Sequence, residues 1–547
     1  MESIKVEGLR SLKNSGFVDI KPLTLLLGEN SSGKSTFLRT FPLLRQSTES
    51  HTRGPILWYG SYVDFGSFDD ALSNYSDDKS ISFSFKIKSQ SILSVTPKRV
   101  TSKAGILSGD IEATLKVVND GRNGQTRVRS VQIKHNENEI EIIYGKGDKL
   151  ISVISNGINL TDYFGSVIVA QEKSRFSLFT HIKFPSGSST YAGFNDYDNP
   201  NVKELINNCV AEYAHGKSNL ADLTQRMLRQ QTMSLSDFVE KFSGISPTHT
   251  WKKKTSSLHQ ESSNIRQIHA AIFSSRVAWY CLILNVYITG EFKNLNYIAP
   301  LRATAERYYR NQDLSVNEVD FQGKNLAMFI FNLSDTKKKE YKQWLSVNFG
   351  FSIDVISDGG HLSLRITYEN SEQSFNITDM GFGFSQILPI ITQLWFTSIK
   401  DTNTTHDINK VFHNTKYLVI EQPELHLHPR LQAKMVDVFI KMINLLKSDI
   451  NGINLKIIIE THSETIINQI GHRIRQVPIS IDEILDGYNE SNKTSKILST
   501  IDKEDVSIVI FDKANASKPT SVTFSSYDSE GNLRDWPWGF FDPEFDI

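Results

Sequence analysis

The chain is poor in cysteine, has no excess of basic charge and lacks a long uninterrupted apolar run. Its 547 residues include two cysteines, Cys209 and Cys281, which excludes a disulfide scaffold and a four-cysteine zinc site. We predict that both are buried free thiols. With 60 Lys and Arg against 61 Asp and Glu, the formal net charge is −1. This balance argues against a histone-like polyanion binder, although it leaves room for a local basic groove.

Membrane and secretory features are also missing. The longest mostly apolar run, Val277 to Ile288, is shorter than the ~18–20 residues that cross a bilayer. Met1 to Lys5 lead into a strand-like pattern and not into a signal peptide. Hydrophobic residues at 39% and charged residues at 22% are typical of globular proteins. We therefore predict a soluble cytoplasmic protein without membrane contact.

The apolar pattern predicts α/β structure at both ends of the chain and a helical segment, from about 201 to 288, between them. Leu23 to Leu27 is typical of a buried parallel strand, and a helix should begin at about Lys34. Alternating segments predict four further strands: Ile81 to Ile87, Ile111 to Val118, Arg127 to Ile133 and Ile140 to Tyr144. A strand–helix–strand unit, which implies a parallel sheet, is predicted at Tyr417 to Ile420, 430–447 and Leu455 to Ile459.

A phosphate-binding motif follows the first buried strand. Gly28-Glu29-Asn30-Ser31-Ser32-Gly33-Lys34-Ser35 matches G-x-x-x-x-G-K-[ST] in full. Its glycines let successive backbone N–H groups surround a phosphate, and the start of a helix favours an anion. Lys34 is predicted to lie between the β- and γ-phosphates of ATP, and Ser35 to ligate Mg²⁺. Thr36 completes the predicted nucleotide-binding loop.

Two later strands end in polar residues. Glu421, the predicted Mg²⁺ ligand, ends one strand and is followed by Gln422-Pro423-Glu424. The next strand ends in Glu460-Thr461-His462-Ser463. Because the carboxyl ends of parallel strands share one crevice, Glu421, Glu424 and His462 are expected to converge on the P-loop.

A second glycine-rich segment precedes the apolar run 387–391. In Asp379-Met380-Gly381-Phe382-Gly383-Phe384-Ser385-Gln386, the glycines and the serine predict a turn that opens a helix, with a simple loop as the alternative.

The order of these motifs resembles the ABC-type ATPases of the structural-maintenance and overcoming-lysogenization kind. In those proteins the parts are Walker A, signature, Walker B, D-loop and switch histidine. Four segments further resemble the stand-alone ATPases that include the PtuA subunit of Septu antiphage systems, some of which accompany retrons: Val63 to Phe68, Gly381 to Gln386, Glu421 to Pro429 and Trp536 to Asp542. No motif covers the middle of the chain, from about 170 to 290.

The resemblance implies an α/β, ABC-type P-loop ATPase head with a parallel sheet, an antiparallel β lobe and an inserted helical arm. Residues 1–170 would form the N-terminal part of the head, residues 171–295 the arm, and residues 296–547 the C-terminal part. A homodimer or higher oligomer is implied, with ATP enclosed between two heads. Gly383, Ser385 and Gln386 of one copy would face the P-loop of the other, and His462 would sense the γ-phosphate.

One position departs from the pattern of many ABC-type ATPases, which have Asp and then Glu at the end of this strand. The glutamate there polarises the attacking water, but this chain has Glu421 and then Gln422. Glutamine cannot act as a general base, although it can orient a water. We therefore predict that hydrolysis is slow or that Glu424 acts as the base. The predicted catalytic residues are Glu421, Gln422, Glu424 and His462.

The resemblance also implies partners. The ATPase would control a separate HNH nuclease subunit of the PtuB kind in bacterial antiphage defence. A retron-associated member would also act with a reverse transcriptase and its nucleic-acid product. No toprim or HNH motif stands in the sequence, which disfavours a self-contained nuclease. A DNA-repair or recombination ATPase that clamps DNA, and an ATP-locked scaffold that does not hydrolyse, stay open as alternatives.

Two weaker patterns suggest further sites. Arg302, Arg307 and Arg310 flank two tyrosines, a mixture suited to contact with phosphate or nucleic acid. His426 and His428 follow Glu424 and could suggest a metal site, although packing at a dimer interface is the favoured interpretation.

Overall fold

The computed structural model describes residues 1–95, 109–121, 125–165, 168–170, 178–183, 199–230, 233–312, 316, 318–369, 371–399, 414–448, 453–475, 499–513, 515 and 517–535. The Trp536 to Asp542 motif lies outside these residues.

Strands dominate the first part of the described chain and recur after residue 294. The strands are Ser3–Leu9, Leu12–Asn14, Val18–Asp19, Leu23–Gly28, Ile81–Lys88, Asp110–Asn119, Thr126–His135, Asn138–Tyr144, Leu150–Ser155, Ile158–Asn159, Ile168–Ala170, His181–Lys183, Leu295–Ile298, Tyr309–Arg310, Phe351–Asp358, His361–Tyr368, Ser374–Asn376, Thr415–Glu421, Asn454–Glu460, Val506–Asp512 and Ser521–Ser525.

The α-helices are concentrated between residues 200 and 293 and around the later strands. They are Lys34–Leu38, Thr40–Glu49, Phe68–Ala71, Ser89–Val95, Pro200–Tyr213, Leu220–Leu228, Leu235–Gly244, His249–Thr255, Ser263–Ser274, Val277–Lys293, Leu326–Asn332, Asp335–Phe349, Phe382–Ser398, Pro429–Ser448 and Glu464–Arg475.

The described residues group into two compact units. The β-lobe unit comprises Met1–Val18 and the described residues of Leu43–Lys293. The P-loop unit comprises Asp19–Pro42 and the described residues of 294–399 and 414–535. The three segments predicted from the sequence stay a prediction.

The P-loop unit is built on a largely parallel sheet. The strands of this sheet are parallel except for the antiparallel edge strand Ser521–Ser525. Across the sheet they follow the order Leu295–Ile298, Thr415–Glu421, Asn454–Glu460, Leu23–Gly28, Val506–Asp512 and Ser521–Ser525. Every residue of Leu23–Gly28 is buried, as expected of a parallel strand covered on both faces. The predicted buried strand and the predicted parallel unit at Thr415–Glu421 and Asn454–Glu460 are confirmed.

The helix predicted from Lys34 is interrupted. Lys34–Leu38 ends at Arg39, and a second helix, Thr40–Glu49, follows. Proline has no backbone N–H, so Pro42 cannot donate the hydrogen bond to the Leu38 carbonyl that a continuous helix requires. The interruption places Arg39 at the end of the short P-loop helix.

The β-lobe unit is an antiparallel sheet with helices packed on it. Neighbouring strands run in the order Ile158–Asn159, Leu150–Ser155, Asn138–Tyr144, Thr126–His135, Asp110–Asn119, Ile81–Lys88, Ser3–Leu9 and Leu12–Asn14. The four strands predicted from alternation are confirmed. The predicted helical segment is also present, and it contacts the sheet through Tyr280, whose hydroxyl lies 2.6 Å from His135 Nδ1.

The stretch Ser263–Lys293 has 31 residues and a mean hydropathy of 1.4 in its most apolar window, enough by length and composition to cross a membrane. However, 83% of that window is buried inside the protein. This burial is typical of the core helix of a globular unit.

A buried histidine makes the stability of the β-lobe unit depend on pH. His269 donates from Nε2 to Met233 O at 3.0 Å, and its Nδ1 lies 3.2 Å from Asn156 Nδ2. This arrangement requires the neutral ring, and burial lowers the pKa of His269. The unfolded chain therefore binds a proton at His269 near pH 6.5, whereas the folded unit binds it only at lower pH.

We expect the free energy of unfolding to fall as pH drops below about 6.5, by at most about 1.4 kcal/mol per pH unit from this group. Urea unfolding at pH 7.5 and 5.5 measures the change. The matched variant His269→Gln keeps a donor for Met233 O but cannot titrate, so its pH dependence should be weaker. An identical pH dependence in both proteins would contradict this account.

Candidate nucleotide-binding site

The P-loop joins the buried strand Leu23–Gly28 to the helix Lys34–Leu38. Gly28, Ser31 and Gly33 have positive φ angles of 145°, 62° and 105°. These angles turn the backbone within six residues, and at Gly28 and Gly33 they carry no steric penalty because glycine has no Cβ atom. The turns bring the loop to the start of the helix, where unpaired N–H groups favour an anion.

Contacts from neighbouring segments hold the loop in place. A Cβ atom on Gly28 would lie 2.1 Å from the Phe511 carbonyl oxygen, so a larger residue cannot occupy this position without a shift. Thr520 donates its hydroxyl proton to Ser32 O at 2.7 Å. The Ser32 Oγ atom is buried and has no hydrogen-bond partner among the described residues. A phosphate oxygen would satisfy it, so the loop fits a nucleotide.

Lys34 points its ammonium group into the loop. Its Nζ atom donates to Gly28 O at 2.8 Å and to Glu29 O at 2.6 Å, and the residue is only 2% exposed. Burial lowers the pKa of Lys34 to about 8. A phosphate group beside this ammonium would favour its charged form. In contrast, Glu29, Asn30 and Ser31 at the tip of the loop are exposed.

Glu460 is the carboxylate that contacts the Ser35 hydroxyl. The Ser35 hydroxyl donates to Glu460 Oε1 at 2.7 Å, and Glu460 is 2% exposed. Burial and the neighbouring Glu421 raise the pKa of Glu460 to about 7. In the sequence Glu460 stands out only as the end of a strand, and nothing there signals its contact with Ser35. The strand order explains it, because the Glu460 strand lies between the P-loop strand and the Glu421 strand.

Glu421 is held by three donors. Arg39 Nε donates to Oε1 and Arg39 Nη2 to Oε2, each at 2.8 Å. The Tyr297 hydroxyl donates to Oε1 at 2.6 Å. Burial first, then Glu421, raises the pKa of Tyr297, so this hydroxyl keeps its proton. The role of Glu421 as a Mg²⁺ ligand stays a prediction, and the sequence signalled neither Arg39 nor Tyr297 as its partners.

Arg302 supports the turn after Glu421. Its Nη2 atom donates to Glu421 O at 2.8 Å and to Gln422 O at 3.2 Å, and Gln422 has a φ of 43°. Arg302 is 5% exposed, and burial lowers its pKa to about 10. The hypothesis that Arg302 contacts nucleic acid is therefore wrong. Arg307 pairs with Asp379 on the surface.

Glu424 connects the two strand ends. Its carboxylate accepts hydrogen bonds from the His462 backbone N–H and from the Thr461 hydroxyl, both at 2.8 Å. Burial raises the pKa of Glu424, and burial together with Lys34 lowers the pKa of His462 to about 4. His462 is therefore neutral at pH 7 and can donate or accept a hydrogen bond.

The segment around Gly381 opens a helix, as predicted. Gly381 has a φ of 79° and precedes Phe382–Ser398, whose first residue, Phe382, is 64% exposed. Ser385 is buried and donates its hydroxyl proton to Phe382 O at 2.7 Å. Gln386 is buried beside it, and a Cβ atom on Gly383 would lie 3.5 Å from His426 O. The roles of Gly383, Ser385 and Gln386 towards a second copy stay predictions.

The histidine metal site, which was the less favoured interpretation of His426 and His428, has no support in the described part of the chain. It contains no group of three or more His, Cys, Asp or Glu side chains that could hold a metal ion. His428 Nδ1 instead accepts a hydrogen bond from the Arg430 N–H at 3.2 Å. The Ser35 hydroxyl and the Glu460 carboxylate that it contacts are oxygen donors of the kind that suits Mg²⁺, which binds few protein oxygens alongside phosphate oxygens and water.

Comparisons with known proteins agree with this site. Residues 1–467 match the AAA ATPase domain family. Endonuclease GajA of Bacillus cereus (strain HuB5-5) is 29% identical over 185 residues, which are 30% of this chain and 25% of that protein. The match thus spans about a quarter of the length of this relative.

Two solved structures are also similar. A crystal structure of the SmcHead bound to the C-winged helix domain of ScpA is 10% identical, with a TM-score of 0.32 over 96% of this chain and 97% of that chain. An SMC head domain from Thermotoga maritima is 8% identical, with a TM-score of 0.30 over 86% and 91% of the two chains. The family match covers the P-loop, the Gly381 segment and both carboxylate-ending strands, and the chain belongs to the AAA ATPase domain family.

Proposed function

We propose that this protein is an ATPase that dimerises around ATP and controls a separate nuclease of the HNH type in bacterial antiphage defence. The observation that carries the ATPase part is the P-loop, in which Lys34 points inwards and Ser35 contacts a buried carboxylate. The relative named as an endonuclease supports a link to nuclease chemistry. Defence, and partners of the PtuB or reverse-transcriptase kind, follow from the resemblance of the motifs to Septu ATPases.

The site residues have distinct proposed roles. Lys34 binds the phosphates, and Ser35 with a strand-end carboxylate holds Mg²⁺, which supplies charge neutralisation at the phosphates. In hydrolysis, Glu424 accepts a proton from the attacking water, or Gln422 orients that water. His462 is neutral and positioned by Glu424, so it can hydrogen-bond a phosphate without adding charge. We place the protein in the cytoplasm.

Dimerisation can be tested at the exposed start of the Gly381 helix. Phe382 is 64% exposed beside Gly383, and Phe382→Asp would put a desolvated charge into an interface formed there. Light scattering with and without ATP and Mg²⁺ should give an ATP-dependent dimer for the wild type and a monomer for Phe382→Asp. Phe524→Asp is a matched control, because Phe524 is 50% exposed on an edge strand. Equal dimerisation of both variants, or none in the wild type, would refute the proposal.

Replacing Gln422 with glutamate tests the slow-hydrolysis hypothesis. The backbone support from Arg302 would be retained, while the new carboxylate could accept a proton from water. We expect ATP turnover to rise at least about tenfold, since general-base catalysis contributes about 10²–10⁴-fold. Phosphate release is the measurement, with Lys34→Ala as the blank. Unchanged turnover would mean that Gln422 does not limit the rate.

A further inference from the structure

The carboxylate best placed to hold Mg²⁺ with Ser35 is not the one that the sequence suggests. We propose that Glu460 is the magnesium-holding carboxylate, and that Glu421 serves to anchor Arg39 and Tyr297. This inference rests on the proposed ATPase function and specifies its metal site.

Glu460 contacts the hydroxyl that would ligate the metal. In a P-loop the serine after the lysine supplies a Mg²⁺ ligand, and here that serine is Ser35. Its hydroxyl lies 2.7 Å from Glu460 Oε1. Glu460 would therefore lie next to a metal ion bound by Ser35, either as a ligand or as an acceptor for a metal-bound water.

The Glu460 carboxylate also has an unsatisfied oxygen. Glu460 Oε2 is buried and has no hydrogen-bond partner among the described residues. A buried, unpartnered carboxylate oxygen is costly, and an ion, a ligand or an ordered water commonly satisfies such an atom. Lys34 does not supply that partner, because its hydrogen bonds go to Gly28 O and Glu29 O. A cation with its waters would satisfy Oε2.

Glu421 differs from Glu460 because its two carboxylate oxygens already accept three hydrogen bonds. Two come from the Arg39 guanidinium in a bidentate pair and one from the Tyr297 hydroxyl. Three of the about four lone-pair sites of this carboxylate are thus occupied, and a metal that displaced Arg39 would break a charge-assisted pair on a residue that is 1% exposed. Glu460 can meet the metal without breaking any comparable pair.

Strand pairing makes this division of roles possible. Glu421 and Glu460 are paired in the register of adjacent parallel strands, and Glu460 is paired with Leu26 of the P-loop strand on its other side. The Glu460 strand is thus one strand closer to the P-loop. Arg39 compensates the charge of the more distant carboxylate, which leaves the nearer one for the metal.

The test measures metal affinity directly, with Mn²⁺ as the probe. Electron paramagnetic resonance gives the affinity of Mn²⁺ for the full chain saturated with a non-hydrolysable ATP analogue. Glu460→Gln keeps an acceptor for Ser35 but removes the charge, and we expect Mn²⁺ affinity to fall by about 10–100-fold. Glu421→Gln is the matched variant and should stay near the wild-type affinity. Analogue binding in EDTA should be similar in all three proteins.

The outcomes separate the inference from the function that it rests on. If the wild type binds no analogue either with Mn²⁺ or in EDTA, the proposed ATPase function fails. If the analogue binds and Glu460→Gln leaves Mn²⁺ affinity unchanged, or if Glu421→Gln lowers it as much, only the inference is overturned. Should Glu460→Gln fail to fold, Glu460→Asp tests the same point. Its shorter carboxylate should weaken Mn²⁺ binding, and unchanged binding would overturn the inference.

Discussion

Lys34→Ala is expected to weaken ATP binding at least about 30-fold, since removing one member of a buried charge pair costs about 2–5 kcal/mol and 1.4 kcal/mol is a factor of ten. Lys34 is the cation inside the P-loop, and its position among the loop carbonyls is where phosphates would lie. Titration with a fluorescent ATP analogue measures the change in dissociation constant.

The control for this experiment is another lysine of the same unit. Lys503 lies in an exposed helical turn, and Lys503→Ala should bind the analogue as the wild type does. Melting curves of both variants would show whether the loop has kept its fold, because Lys34 also bonds two loop carbonyls. Tight binding by a folded Lys34→Ala protein would contradict a nucleotide site at this loop.

Arg39→Met should destabilise the P-loop unit by about 3 kcal/mol, at the lower end of the range for breaking a buried ion pair. The substitution leaves the Glu421 carboxylate, 2% exposed, without its charged partner. The lower end applies because the Arg39 side chain is 34% exposed and water screens part of the loss. A loss of this size corresponds to a decrease in melting temperature of about 6–12 °C.

A double-mutant cycle provides the control. In Arg39→Met with Glu421→Gln, neither partner of this pair leaves an unpaired charge, so the double variant should be more stable than Arg39→Met alone. Thermal and urea unfolding of the four proteins measure the interaction energy. Additive effects of the two substitutions would mean that the pair contributes little to stability.

The parallel sheet and the P-loop could be predicted from the sequence because their signals are local. Leu23 to Leu27 is a short apolar run followed at once by a complete phosphate-binding motif, and Glu421 follows a similar run. The alternation of Ile81 to Ile87 likewise predicts a strand, although the alternating serines Ser82 and Ser84 are also buried. In each case the residues of one short segment were enough to predict the strand or the loop that the segment forms.

The partners of the carboxylates could not be predicted in this way. Arg39 reaches Glu421 across 382 positions of the chain, and Ser35 reaches Glu460 across 425. Such contacts depend on the order of strands in the sheet, which sequence spacing does not fix. The burial of Arg302 could not be predicted for the same reason. An arginine beside tyrosines is typical of a binding surface, but here the fold buries it against the backbone after Glu421.

The most direct test of the whole account is magnesium-dependent release of phosphate from ATP by the purified chain, measured beside Lys34→Ala under the same conditions. We predict slow release by the wild type that stops when EDTA removes magnesium and is absent in Lys34→Ala. Equal release by the two proteins, or release that persists in EDTA, would contradict an ATPase site built on this P-loop.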